Sequence, residues 1–140
     1  MHIAVDTFLD AVKTMRACGQ GRRECVVFLV EHADDGVLRV LHPEHGASSS
    51  GFELDQRWLG AFAVRQTHEQ VHVQAQVHTH PGSAFHSATD DMWPMVGTVG
   101  FLSIVVPRFG NGRIQTDEIY ACRLDIGGWQ DVDFAALLQP

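Results

Sequence analysis

The chain has 140 residues, the length of one ordinary domain, and its composition is 45% hydrophobic and 19% charged, as in globular proteins. The net charge is −7 with a single lysine, which argues against a basic surface for nucleic acid. No stretch approaches the roughly 20 apolar residues of a membrane span, and the N-terminus lacks a signal-peptide pattern. We therefore expect one soluble cytoplasmic domain over residues 1–140, without nucleic-acid or membrane partners.

Hydrophobic periodicity predicts two long helices among several strands. The predicted order is strand 2–5, helix 6–18, strand 25–30, strand 37–41, loop 43–51, helix 54–70, strand 71–80, a loop with a short helix 81–99, and strands 101–106, 119–126 and 129–132. Helices and strands are intermixed along the chain. This order predicts an α+β fold with a mixed, largely antiparallel central sheet flanked by helices.

Three cysteines, Cys18, Cys25 and Cys122, cannot all pair, and none lies in a Cys-x-x-Cys arrangement. We interpret them as buried or partly buried thiols in a reducing compartment.

The most informative stretch is residues 77–91, which read VHTHPGSAFHSATDD. Side chains alternate along a strand, so His78 and His80 share one face and can converge on a single ion. The predicted opposite face of this strand carries Val71, Val73, Ala75, Val77 and Thr79. Pro81 then ends the strand, because it has no N–H to donate.

A carboxylate follows this histidine pair where a helical turn should begin. Ser87 suits the N-cap and Asp90 the first turn, where the positive helix end favours an ionised carboxylate. Two histidines and one carboxylate leave a fourth tetrahedral position open for water, the pattern of a catalytic zinc site. The expected cofactor is one Zn²⁺ per chain.

The combination of His-x-His-Pro, a glycine-containing loop and Ser-x-x-Asp resembles the JAMM (MPN+) zinc metalloproteases, in particular their bacterial deubiquitinase-like branch. The resemblance spans roughly residues 5–107 and implies the MPN/JAMM fold, which is cytidine-deaminase-like. It implies that Glu24, before the first apolar strand, is the general base, with Glu31 as the competing candidate. It also implies that the Ser87 hydroxyl stabilises the oxyanion.

One departure from the family pattern concerns the acidic ligand. The commonest family spacing from His80 would select Asp91, but Ala88 would then occupy the serine position. An intact Ser-x-x-Asp selects Asp90 with a loop one residue shorter. We favour Asp90 and keep Asp91 as the alternative.

The resemblance implies a metallopeptidase that cleaves after the C-terminus of ubiquitin or a ubiquitin-like protein, and it implies that the cysteines are dispensable for the chemistry. The expected partners are that protein or its conjugate, together with activating and conjugating enzymes of the same system, one used in antiphage defence. Three alternatives stay open. They are processing of a ubiquitin-fold sulfur-carrier protein, a non-catalytic MPN scaffold, and a metal hydrolase that acts on a non-protein amide.

Overall fold

A six-stranded sheet forms the centre of the fold, in a computed structural model that describes residues 1–85 and 98–140. Its spatial order is β3 (Leu38–Leu41), β2 (Val26–His32), β6 (Val71–Thr79), β7 (Leu102–Val106), β8 (Tyr120–Asp125) and β9 (Gly128–Asp131). Strands β6 and β7 pair in parallel, whereas the other neighbouring pairs of this sheet are antiparallel. The predicted α+β class with a mixed central sheet is confirmed.

The remaining elements lie around this sheet. They are β1 (Ile3–Ala4), α1 (Val5–Gly19), β4 (His45–Ala47), β5 (Phe52–Leu54), α2 (Gln56–Glu69), 3₁₀ turns at Arg108–Gly110 and Thr116–Glu118, α3 (Phe134–Leu137) and β10 (Leu138–Gln139). The predicted loop 43–51 is partly wrong, because β4 and β5 pair there as an antiparallel hairpin. None of the helices in the two described ranges is long and apolar enough to cross a membrane.

The two long helices pack on separate apolar clusters of the sheet. Phe8, Val12 and Met15 of α1 pack with Val27 and Ile104 in the larger cluster. The second cluster contains Val26, Phe28, Val30, Leu54, Phe62, Val71, Val73 and Phe101. Neighbouring β2 residues divide between the clusters, as expected for a strand buried on both faces.

A β-bulge at Gln74 changes the facing of strand β6. The register pairs Leu29 with Ala75 but Val30 with Val73, so Gln74 has no partner on β2. Val73 consequently packs in the cluster that contains α2, and Ala75 in the cluster that contains α1. The predicted single valine face over residues 71–79 is therefore wrong, because an extra residue in one strand shifts the alternation.

Candidate metal centre

The C-terminal end of β6 lies against the N-terminal end of β2, where three of the predicted site residues are found. The antiparallel register of the two strands extends to His78. Beyond His78, the Cys25 amide donates a hydrogen bond to Thr79 Oγ1 (2.9 Å), and the Cys25 carbonyl oxygen accepts one from the Thr79 amide (3.0 Å). This pairing puts Glu24 opposite His80. Alternation then turns Glu24, His78 and His80 toward the same face of the sheet.

The two imidazoles form a buried pair. The Nε2 atoms of His78 and His80 are 3.3 Å apart. Two nitrogens bound to one tetrahedral zinc at about 2.0–2.1 Å would be separated by roughly 3.3 Å. His78 is 0%, His80 5% and Glu24 6% exposed. The donor atoms and their spacing therefore fit a zinc ion.

Two phenylalanine rings cover this pair. The ring centroid of Phe52 is 5.5 Å from that of His78, and the ring of Phe85 is 4.7 Å from that of His80. Phe85 is itself 56% exposed, so the site lies close to the surface beside His80. Apolar walls of this kind exclude water and strengthen electrostatic interactions within a site.

The turn of the β4–β5 hairpin positions Glu24. The Glu24 amide donates to the Ser48 carbonyl oxygen (2.8 Å), and the Ser48 amide donates to the Gly51 carbonyl oxygen (2.8 Å). A Cβ atom at Gly51 would lie 3.9 Å from Glu24 Oε2. The carboxylate thus lies beside the turn, with room for no more than a small side chain at Gly51.

Of the other predicted site residues, Glu31 is not brought to this pair. Glu31 lies near the far end of β2, roughly 23 Å from Glu24 at about 3.3 Å per residue. It is half-buried and pairs with residues of β3 and β6. Ser87, Asp90 and Asp91 lie outside the described residues. Their roles as oxyanion donor and metal ligand stay predictions.

A second group of metal-ligating side chains lies at the C-terminal end of α1 and was not predicted from the sequence. The ligand atoms of Cys18, Cys25, His42 and His45 all lie within 4.8 Å of one another. Cys25 Sγ is 3.4 Å from His42 Nε2, and Cys18 Sγ is 3.5 Å from His45 Nε2. The sequence signal is a Cys-x₆-Cys followed by a His-x₂-His, spacings that differ from common zinc motifs.

Burial shifts the pKa of two members of this group, which we call the Cys₂His₂ cluster. Burial, reinforced by the neighbouring Cys18 thiol, raises the pKa of Cys25. Partial burial and the charge of His45 lower the pKa of His42. A neutral imidazole keeps a lone pair for a metal, and a buried thiol would release its proton when a metal binds.

Comparison with known proteins finds similarity in sequence and in fold. A 64-residue segment is 44% identical to probable metalloprotease y4jG of Sinorhizobium fredii (strain NBRC 101917 / NGR234). That segment is 45% of this chain and 40% of the relative. No protein-family model matches the chain. The solution structure of protein DSY2949 from Desulfitobacterium hafniense is similar with a TM-score of 0.62 and 13% identity, over 95% of this chain and 90% of that chain. At this identity the likeness concerns the fold alone.

Proposed function

We propose that the chain is a zinc-dependent hydrolase of the JAMM (MPN+) type that cleaves peptide or isopeptide bonds. The observation that carries this proposal is the buried imidazole pair of His78 and His80, with Nε2 atoms 3.3 Å apart. Glu24 lies opposite the pair across the β2–β6 junction. The similarity to a relative named probable metalloprotease supports the same class of reaction.

The residues divide the chemistry among them. His78 and His80 would hold zinc together with Asp90, or with Asp91 in the alternative register. A bound zinc would supply polarisation of the scissile carbonyl and a lowered pKa for water. The Glu24 carboxylate would take a proton from the attacking water and pass it to the leaving amine. The Ser87 hydroxyl would donate a hydrogen bond to the oxyanion.

We propose the C-terminal tail of ubiquitin or a ubiquitin-like protein, free or conjugated, as the substrate, on the strength of the motif resemblance. Strand β5 carries Phe52 against His78. In the described part of the chain this strand pairs with β4 alone. An extended tail could bind by strand addition to the other edge of β5, beside the imidazoles. Activating and conjugating enzymes of the same system would be the functional partners.

The metal half of the proposal is tested by elemental analysis of purified protein. We expect His78→Ala to contain one zinc equivalent less than the wild type. His72→Ala is the matched control, because His72 lies on the same strand with its side chain exposed. Equal zinc in wild type and His78→Ala would contradict the proposal and would favour a non-catalytic scaffold.

The catalytic half is tested with fusions that carry a cleavable extension after a ubiquitin-like C-terminus. Loss of a general base costs about 10²–10⁴-fold in rate, so Glu24→Gln should lose at least roughly 100-fold at unchanged zinc content. Glu31→Gln is the control, since it removes a carboxylate at the other end of the same strand. If the protein cleaves fusions of a sulfur-carrier protein but not those of ubiquitin-like proteins, the sulfur-carrier protein replaces them as the proposed substrate. No cleavage by zinc-loaded wild type would refute the hydrolase.

A further inference from the structure

The Cys₂His₂ cluster joins three parts of the chain at one point. Cys18 lies in the last turn of α1, and Cys25 directly precedes β2. His42 follows β3, and His45 is the first residue of β4. A cleft of about 900 Å³ opens beside Cys18, His42 and His45 and gives an ion access to the cluster. None of these side chains has a role in the proposed hydrolysis.

The distances within the cluster fit tetrahedral zinc. With Zn–S of about 2.3 Å and Zn–N of about 2.0–2.1 Å, a sulfur and a nitrogen on one tetrahedral zinc lie roughly 3.6 Å apart. Two of the four sulfur–nitrogen separations in the cluster are given by Cys25–His42 at 3.4 Å and Cys18–His45 at 3.5 Å. The largest separation among the four ligand atoms is at most 4.8 Å, so small side-chain rotations would complete the tetrahedron.

A hydrogen bond at the second ring nitrogen orients one of the ligands, His45. His45 Nδ1 is 2.9 Å from the Pro43 carbonyl oxygen. A carbonyl can only accept, so Nδ1 carries a proton, and Nε2 is the ring nitrogen that faces Cys18 and is placed to bind a metal. Histidines that bind metal usually donate their other ring nitrogen in this way. Cys25 is fully buried, whereas His42 is exposed at the cleft.

We propose that Cys18, Cys25, His42 and His45 form a structural zinc site, separate from the imidazole pair of His78 and His80. Four protein ligands leave no open position for water, which is the pattern of a structural rather than a catalytic zinc. The proposal does not depend on the proposed hydrolase. It raises the expected metal content from one zinc per chain to two.

The location of this site gives it a consequence for the imidazole pair. The ring of His45 contacts that of Phe52 at 6.4 Å, and Phe52 in turn contacts His78 at 5.5 Å. In the same hairpin, the Ser48 carbonyl oxygen accepts a hydrogen bond from the Glu24 amide. A zinc bound to His45 would therefore fix the hairpin that covers His78 and holds Glu24.

The test is a cobalt titration of reduced, metal-depleted protein, followed by absorption. Thiolate ligands give a sulfur-to-cobalt charge-transfer band in the near ultraviolet, which a site of histidines and a carboxylate cannot produce. We expect this band in wild type and its loss in Cys18→Ala. Cys122→Ala is the control, because it removes the third cysteine, which lies in β8.

Two further variants separate the possible outcomes. His42→Ala changes an exposed residue and should lose the band with little risk of unfolding. His78→Ala should keep the band, so failure of the hydrolase proposal would leave this one intact. With zinc, hydrogen exchange of the β4–β5 amides should be slower in wild type than in Cys18→Ala. The proposal is overturned if the reduced wild type does not show the charge-transfer band, or if the band is unchanged in both Cys18→Ala and His42→Ala. A Cys18–Cys25 disulfide in freshly isolated protein would also overturn it.

Discussion

Replacement of Thr79 by valine tests the backbone junction on which the imidazole pair depends. Thr79 lies between His78 and His80, and both it and Cys25 are fully buried. Its hydroxyl oxygen accepts the Cys25 amide at 2.9 Å. Valine has nearly the same shape but no acceptor, so Thr79→Val leaves a buried N–H without its partner.

The expected loss of stability is the balance of three effects. An orphaned buried donor costs about 1–3 kcal/mol. The added methyl carbon offsets about 0.8 kcal/mol through burial of apolar surface. At the wild-type distance of 2.9 Å, that carbon would also be closer to the amide nitrogen than a contact of about 3.5 Å allows, so the strands must separate slightly. We expect a net loss of about 1–2 kcal/mol, or roughly 3–7 °C in Tm for 140 residues.

Urea unfolding and hydrogen exchange of the Cys25 amide measure this effect. Thr79→Ser keeps the acceptor and should preserve the slow exchange of that amide, whereas Thr79→Val should accelerate it. Thr67→Val is the matched control, because Thr67 is exposed on α2 and its hydroxyl donates to the Ala63 carbonyl of the same helix. A Thr79→Val protein within about 0.5 kcal/mol of wild type, with unchanged exchange at Cys25, would refute the reasoning.

Three further predictions concern the turn after β2 and two glycines. The Arg39 guanidinium donates to Asp35 and lowers the pKa of that carboxyl to about 2, so an NMR titration of Arg39→Gln should move the midpoint toward the ordinary value of about 3.9. Because this pKa is depressed in the folded chain, the pair should stabilise the protein above about pH 4 and lose that effect as the pH falls toward 2. Gly110 has a φ of +76°, so Gly110→Ala should cost about 1–2 kcal/mol in urea unfolding. Gly60→Ala, in the exposed interior of α2, should instead stabilise by roughly 0.5–1 kcal/mol.

Local patterns were sufficient to predict the main elements. The continuous apolar run after Cys25 predicted β2, and the spacing of Phe8, Val12 and Met15 predicted α1, because each pattern matches the period of its element. The same reasoning was less accurate for α2. The spacing of apolar residues in 54–70 predicts a stripe of Trp58, Leu59, Phe62 and Val64, but Val64 is 59% exposed, whereas Phe62 is buried. Both are apolar, and the choice between them depends on where the helix meets the sheet.

Features set by pairing between distant strands could not be predicted. The bulge at Gln74 is defined by the register against β2, more than forty residues earlier in the chain. The β4–β5 hairpin has strands of three residues each, too short for a clear alternation to stand out. The Cys₂His₂ cluster combines a cysteine pair and a histidine pair that meet only because β3 folds back on β2. Each feature is a property of tertiary contacts rather than of a sequence window.

Glu24 and Cys25, the two residues before β2, belong to the two proposed sites. Successive side chains of an extended chain point to opposite faces, so Glu24 faces the imidazole pair while Cys25 faces the Cys₂His₂ cluster. Their backbone is held on both sides, by Ser48 of the hairpin and by Thr79 of β6. A displacement of Cys25 therefore moves Glu24 as well. This shared backbone explains why a metal that fixes Cys25 and His45 would also fix the carboxylate opposite His80, although the Cys25 and Glu24 side chains point to opposite faces.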